Sequence, residues 1–130
     1  MIRSPYFVSA ATLDLVPASH EDPLDPGVFK KVLVGKGIIQ QGAIQMVNFA
    51  MMPVGKKFNL HYHEDMDEVF ILVSGSATMR AGAAHYHMNA FDTVVVPALC
   101  EHEMSNTGDE PVLYLVFGVS RGEGGKTINV

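Results

Sequence analysis

From Val28 onward, turn-forming residues cut the chain into about ten short β-rich runs, and that rhythm constrains the fold more than any other feature. The runs are VFKKVLV, IQMVNFAMM, FNLHYH, EVFILV, SATMR, HYHM, TVVV, EHEMSN, VLYLVFGV and TINV. The breaks fall at 35–37, 53–55, the acidic stretch 64–67, 74–76, 81–84, 89–92 and 107–111, rich in Gly, Pro, Asn, Asp and Ser. Nowhere does an apolar period of 3.6 residues persist for a helix's length. Closely spaced strands without helices predict an all-β antiparallel sandwich or barrel.

Residues 1–27 read differently. Pro5, Pro17, Pro23 and Pro26 forbid regular helix, and SHEDPLDPG is a polar turn cluster. The division expected is an N-terminal arm over 1–27, partly ordered, and a single β-barrel domain over 28–130. Tyr6, Phe7, Val8, Leu13, Leu15 and Val16 are costly to leave in water, so the arm is expected to pack along a sheet edge or across a dimer partner.

The 130 residues suffice for one domain, and 48% hydrophobic against 18% charged is the balance of a packed globule. A net charge of -5 with nine scattered Lys and Arg offers no basic stripe, so nucleic acid is not an expected partner. Cys100 is the single cysteine, which excludes an intrachain disulfide. No secretory leader and no run of about 18 apolar residues is visible, so the expectation is a cytoplasmic protein with no membrane partner.

The chemistry concentrates in GKKFNLHYHEDMDEVFILVSG, Gly55 to Gly75. On a strand, residues i and i+2 share a face, so His61 and His63 project together while Tyr62 points away. A hairpin through the turn Glu64 to Asp67 would return Glu68 beside them. His102 opens a later strand after Pro97 to Glu101 and is the fourth candidate ligand. Three neutral imidazoles and one carboxylate suit Fe, Mn, Ni, Zn, Co or Cu as divalent ions, and the absence of thiolate disfavours selection by soft ligands.

Gly55, His61, His63, Glu68 and Gly75 have the spacing G-x5-H-x-H-x4-E-x6-G, which resembles the first cupin motif at every marked position. Pro97, His102 and Asn106 match the second, with Phe91 and Leu99 where that family usually has glycine. The resemblance spans about Gly55 to Asn106. It implies a double-stranded β-helix, or jelly-roll, barrel of the cupin type, a homodimer, and one divalent transition metal per chain held by His61, His63, Glu68 and His102.

Other features are read more plainly. His85 and His87 form a second H-x-H without a following carboxylate and are expected to face outward, with Tyr86 and Met88 on the core face. His20 is read as a surface residue. SRGEGGKT has no following helix to hold a phosphate and is read as a turn before the last strand. Met46, Met66, Met79 and Met88 are read as adaptable surface, and Tyr86 and Asn48 as groups that orient a ligand. Arg80, Lys56 and Lys57 are the basic groups expected near the motif, and no uncommitted acid or base stands beside the ligands. The function expected is a metalloenzyme acting on a small oxygen-rich metabolite, with dioxygenase-like or Lewis-acid isomerase and lyase chemistry. The alternative is a non-catalytic small-molecule-binding or sensing barrel with a structural or ligand-anchoring metal.

Overall fold

Alternation along the strands decides the architecture. In Val112–Ser120 every second side chain is buried, and in His102–Asn106 likewise, so each strand presents one face inward and one outward. The computed structural model describes residues 6–39, 43–120 and 126–130. The strands are β1 (Val16–Pro17), β2 (Phe29–Val34), β3 (Ile44–Met52), β4 (His61–His63), β5 (Met66–Ser74), β6 (Ala77–Ala81), β7 (Ala84–Met88), β8 (Thr93–Val96), β9 (His102–Asn106), β10 (Val112–Ser120) and β11 (Thr127–Asn129). A single 3₁₀ turn among the described residues lies at Ala10–Thr12. Among the described residues, no helix is long and apolar enough to cross a membrane.

Every strand pair is antiparallel. One sheet has the order β1-β2-β3-β10-β5-β8, the other β11-β4-β9-β6-β7, and their inner faces enclose the core. This is the all-β jelly roll that the sequence predicts. Phe58, Met52, Leu72, Met79, Met88 and Met104 are its largest fully buried side chains. Burying such a side chain contributes about 1.5–3 kcal/mol. Met66 and Met79 are therefore core, not surface, because inward positions on β5 and β6 leave them no route to water, and Met88 lies on the core face of β7 as its strand position predicts.

Three local expectations need correction. The FNLHYH run is regular only over His61–His63. Lys57 makes an isolated bridge to Ser105, and the Asn59 N–H is diverted to the Glu21 carboxylate at 2.9 Å, so pairing resumes only where His61 faces His102. Secondly, β5 begins at Met66, so the connection after β4 is Glu64-Asp65 and Glu68 is the third residue of its strand. Thirdly, β4 and β5 form no hairpin. They belong to different sheets, and the short acidic connection is a corner that carries the chain across the barrel.

The second half of the arm is built into the barrel. Val16 and Pro17 pair with Lys30 and Phe29, and Ala18 donates its N–H to the Val28 carbonyl at 3.1 Å. Glu21 is buried, its carboxylate accepting the N–H groups of Gly27 (2.7 Å) and Asn59 (2.9 Å). Gly27 has no room for a side chain, since a Cβ there would overlap the Lys57 carbonyl oxygen. By contrast Phe7 and Leu24 are 86% and 94% exposed, so part of the arm's apolar surface finds no cover among the described residues.

The two positions where glycine is usual keep their turns. Pro97 accepts the N–H of Cys100 (3.2 Å) and Asn89 that of Asp92 (3.0 Å), with Leu99 and Phe91 at the third position of each turn and φ of 70° in both. Gly55 occupies the same place in the Pro53–Lys56 turn with φ 77°. All three are type II turns, whose third residue must be left-handed. Leu99 and Phe91 adopt that conformation with their side chains in solvent.

Candidate metal centre

The barrel brings His61, His63, Glu68 and His102 together, all four buried, with one ligand atom from each within 4.8 Å of the others. The three rings come from the five-stranded sheet: His61 and His63 two residues apart on β4, His102 directly opposite His61 on β9. Glu68 reaches them from β5 in the six-stranded sheet, in an inward row with Met46, Gly118 and Val96. Gly118 leaves room in that row for the Met66 side chain. Phe58 lies beneath, its ring centroid 5.2 Å from that of His61 and 5.8 Å from that of His102.

Each ring is held by its outer nitrogen. His61 Nδ1 donates to the Asn59 carbonyl at 2.6 Å and His102 Nδ1 to the Cys100 carbonyl at 2.9 Å, while His63 Nδ1 meets the Thr127 hydroxyl at 3.2 Å. A carbonyl can only accept, so for His61 and His102 the proton belongs on Nδ1 and the inward Nε2 of the neutral ring carries a lone pair. That is the tautomer in which histidine binds metal, its other N–H fixed by an outer partner.

Glu68 Oε1 lies 3.0 Å from His102 Nε2 and 2.7 Å from His63 Nε2. The His63 contact is close but off the hydrogen-bond direction, which leaves that buried nitrogen without a hydrogen-bond partner. A lone-pair nitrogen facing a carboxylate oxygen repels it unless a proton or a cation stands between them. The donor set therefore fits a divalent cation. Burial alone would push the Glu68 carboxyl up; with protons on the His102 and His63 rings in place of a cation, their hydrogen bonds and charge outweigh burial and bring it down to about 2, so the carboxylate is ionised. Burial, with the neighbouring His20, pushes His61 down to about 3, so its ring stays unprotonated.

Beside the cluster is a cavity of about 210 Å³. His61 and His63 line it from the five-stranded sheet, and Glu68, Lys30, Asn48 and Tyr114 from the inner face of the six-stranded sheet. Asn48 was expected to orient a ligand and does line this space. Tyr86 does not: it is 47% exposed on the edge strand β7, beside exposed His85 and His87. Lys56 pairs with Asp25 and Lys57 with Glu103, so neither faces the cavity, and Arg80 is exposed. The SRGEGGKT reading rests on 121–125, outside the described residues.

A search for similar proteins agrees with this geometry. Residues 48–118 match the family described as Cupin domain, more than half of the chain. The chain belongs to the cupin family. An uncharacterised protein of Methanocaldococcus jannaschii is 29% identical to this cupin over 77 residues, which are 59% of this chain and 62% of that protein. The match thus spans less than two thirds of that relative. Among solved structures, a predicted oxalate decarboxylase of Thermotoga maritima superposes with a TM-score of 0.78 at 18% identity, covering 88% of this chain and 99% of that one. A sugar phosphate isomerase from a cupin superfamily, of Silicibacter pomeroyi, gives 0.74 at 20% identity, covering 96% and 82%. At such identities the likeness speaks for the fold.

Four residues near the site escape the sequence reading. His20 is no surface residue: its ring stacks on His61 with centroids 4.2 Å apart, and its Nδ1 lies 2.8 Å from the Glu21 carboxylate. Glu21 anchors that contact. Lys30 sits at an inward position of β2, opposite Ala50, which is opposite Tyr114. The strand alternation carries the signal for Lys30, because Phe29 and Lys31 must face outward if β2 pairs with β3. Tyr114 is 3% exposed, and its hydroxyl has no hydrogen-bond partner among the described residues. Burial, with the Glu68 charge behind it, raises this phenol and keeps it protonated. The uncommitted proton donor missing from the sequence reading is thus in the cavity wall.

Proposed function

We propose that this cupin holds one divalent transition metal through His61, His63, Glu68 and His102 and turns over a small oxygen-rich metabolite in the adjoining cavity. The observation that carries the reading is the fixing of His61 and His102 by Nδ1 donation to backbone carbonyls, which leaves the Nε2 of each for the buried cluster that they form with His63 and Glu68. A bound ion would supply Lewis acidity, or dioxygen chemistry if it is iron. The chain's own residues do the rest. His61, His63, Glu68 and His102 hold the ion, Phe58 and Phe70 keep the floor dry, and the Tyr114 hydroxyl donates a hydrogen bond or proton to a substrate oxygen.

Metal content, measured by mass spectrometry on protein purified without added metal or an affinity tag, tests the site. The expected result is about one transition metal ion per chain, lost in His102→Ala and retained in His85→Ala. Equal loss in both variants overturns the ligand set. Turnover or oxygen uptake by the loaded protein then tests catalysis, and binding of a small molecule without either leaves a sensing barrel. The partners in this reading are a small-molecule substrate and a second copy of the chain. The outer face of the six-stranded sheet, with Val47, Phe49, Leu115, Phe117, Val69 and Ile71 side by side, together with the uncovered arm, supports a homodimer.

A further inference from the structure

We propose that Lys30, with the amide of Asn48 and the hydroxyl of Tyr114, forms an anion subsite on the cavity wall facing the sheet that carries the three histidines, and that the molecule it takes is a small carboxylic acid. The inference rests on the metal reading for the oxygen end of that molecule, while the carboxylate end rests on these three residues alone.

An ammonium group at an inward strand position requires an explanation. Its row reads Lys30, Ala50, Tyr114, Leu72 across four strands, and the last three are buried. No carboxylate pairs with Lys30 among the described residues, and burial pulls its pKa below the usual lysine range. A charge at such a position is costly unless an anion accompanies it. The adjacent inward row holds a second unfilled group. Asn48 is 7% exposed, and its Nδ2, which carries two protons, meets only the Met46 sulfur at 3.6 Å, leaving one N–H for an anion, while its unpartnered Oδ1 can take only a donor such as a ligand hydroxyl. The Tyr114 hydroxyl is the third. Three polar groups on adjacent strands, all uncommitted, line one cavity.

The chemistry of the group they would hold is narrow. One half-buried ammonium, one amide and one hydroxyl match a single planar monoanion with a few acceptor sites. A phosphate, with more charge and more oxygens, recruits several cations or a run of backbone N–H groups. Lys36, the other lysine on the cavity wall, is exposed. A volume of about 210 Å³ is below the roughly 300 Å³ at which drug-sized pockets begin, so the ligand is a small acid with a second oxygen group for the metal end.

Binding calorimetry with malonate, its uncharged isostere malonamide and inorganic phosphate, on metal-loaded and metal-free protein, tests this. Malonate is expected to bind the loaded protein, malonamide at least about tenfold more weakly. Lys30→Met should weaken malonate by at least about tenfold, and Lys31→Met, on the outer face, should leave it unchanged. Lys30→Met removes a half-buried charge and keeps the length of the side chain, so it should stay folded; Lys30→Gln is the second variant, expected to weaken malonate similarly. Malonate affinity that is absent, or equal in wild type and both Lys30 variants, overturns the subsite. Phosphate binding more tightly than malonate through Lys30 overturns the carboxylate class. If the chain takes up no metal, the metal reading fails by itself; Lys30-dependent malonate binding to the metal-free protein then upholds the subsite, and its absence overturns it.

Discussion

Leu99 and Phe91 show how a residue visible in the sequence can have a consequence that is not. Their departure from glycine is plain in the sequence; that the backbone keeps the glycine conformation, with φ of 70° at both, is a tertiary result. The Leu99 turn is pinned from outside, its N–H donating to the His63 carbonyl at 2.8 Å and that of Ala98 to the Asp67 carboxylate at 2.8 Å. A left-handed side-chain residue costs roughly 1–2 kcal/mol, partly offset by the greater unfolded-state freedom of glycine. Leu99→Gly and Phe91→Gly should therefore each stabilise the protein by about 0.5–1 kcal/mol, read as a rise of a few degrees in thermal midpoint. An unchanged or lower midpoint in both would refute the strain. The ligands themselves were legible at this scale, because H-x-H on a strand, a carboxylate and a later histidine are spaced along one chain. Lys30 and Tyr114 were not, because their roles depend on which neighbours share an inward row.

Among the elements, the arm departs furthest from its local appearance. A proline-rich polar stretch reads as a loop, and nothing near Glu21 in sequence says that its carboxylate will accept an N–H from Asn59, 38 residues later. Burial alone would raise the Glu21 carboxyl, but the hydrogen bonds from His20, Asn59 and Gly27 hold it below its ordinary 4.5. A carboxyl lowered on folding stabilises the native state above the unfolded value and loses that contribution as pH falls through the folded one. Glu21→Gln should thus lower stability at pH 7, and the gap from wild type should close as pH falls below about 4.5. Urea unfolding midpoints of both proteins across that range provide the measurement; a gap independent of pH would mean that the contribution is not the charge.

For the whole molecule, the strand count and the all-β class were legible because turn residues punctuate the runs so regularly, whereas the β4–β5 connection was not. A two-residue break looks the same whether the chain turns back along one sheet or crosses to the other, and only the pairing of His61 with His102 and of Glu68 with Gly118 decides it. The outward apolar rows of β3, β10 and β5 likewise emerge only once the register is fixed. If a second copy covers them, light scattering should give about twice 14.1 kDa, and Leu115→Glu should reduce it to the monomer value while leaving metal content intact. A monomeric wild type would remove that interface. The corner between β4 and β5 also sets the order in which the molecule can be assembled. Its three rings and its carboxylate arrive from opposite walls, so the four ligand atoms cannot converge until the two sheets have docked. If the proposed ion binds, its capture is a clock for the last step of folding: the rate at which a refolding chain becomes able to take it up reports closure of the barrel, not formation of any single hairpin.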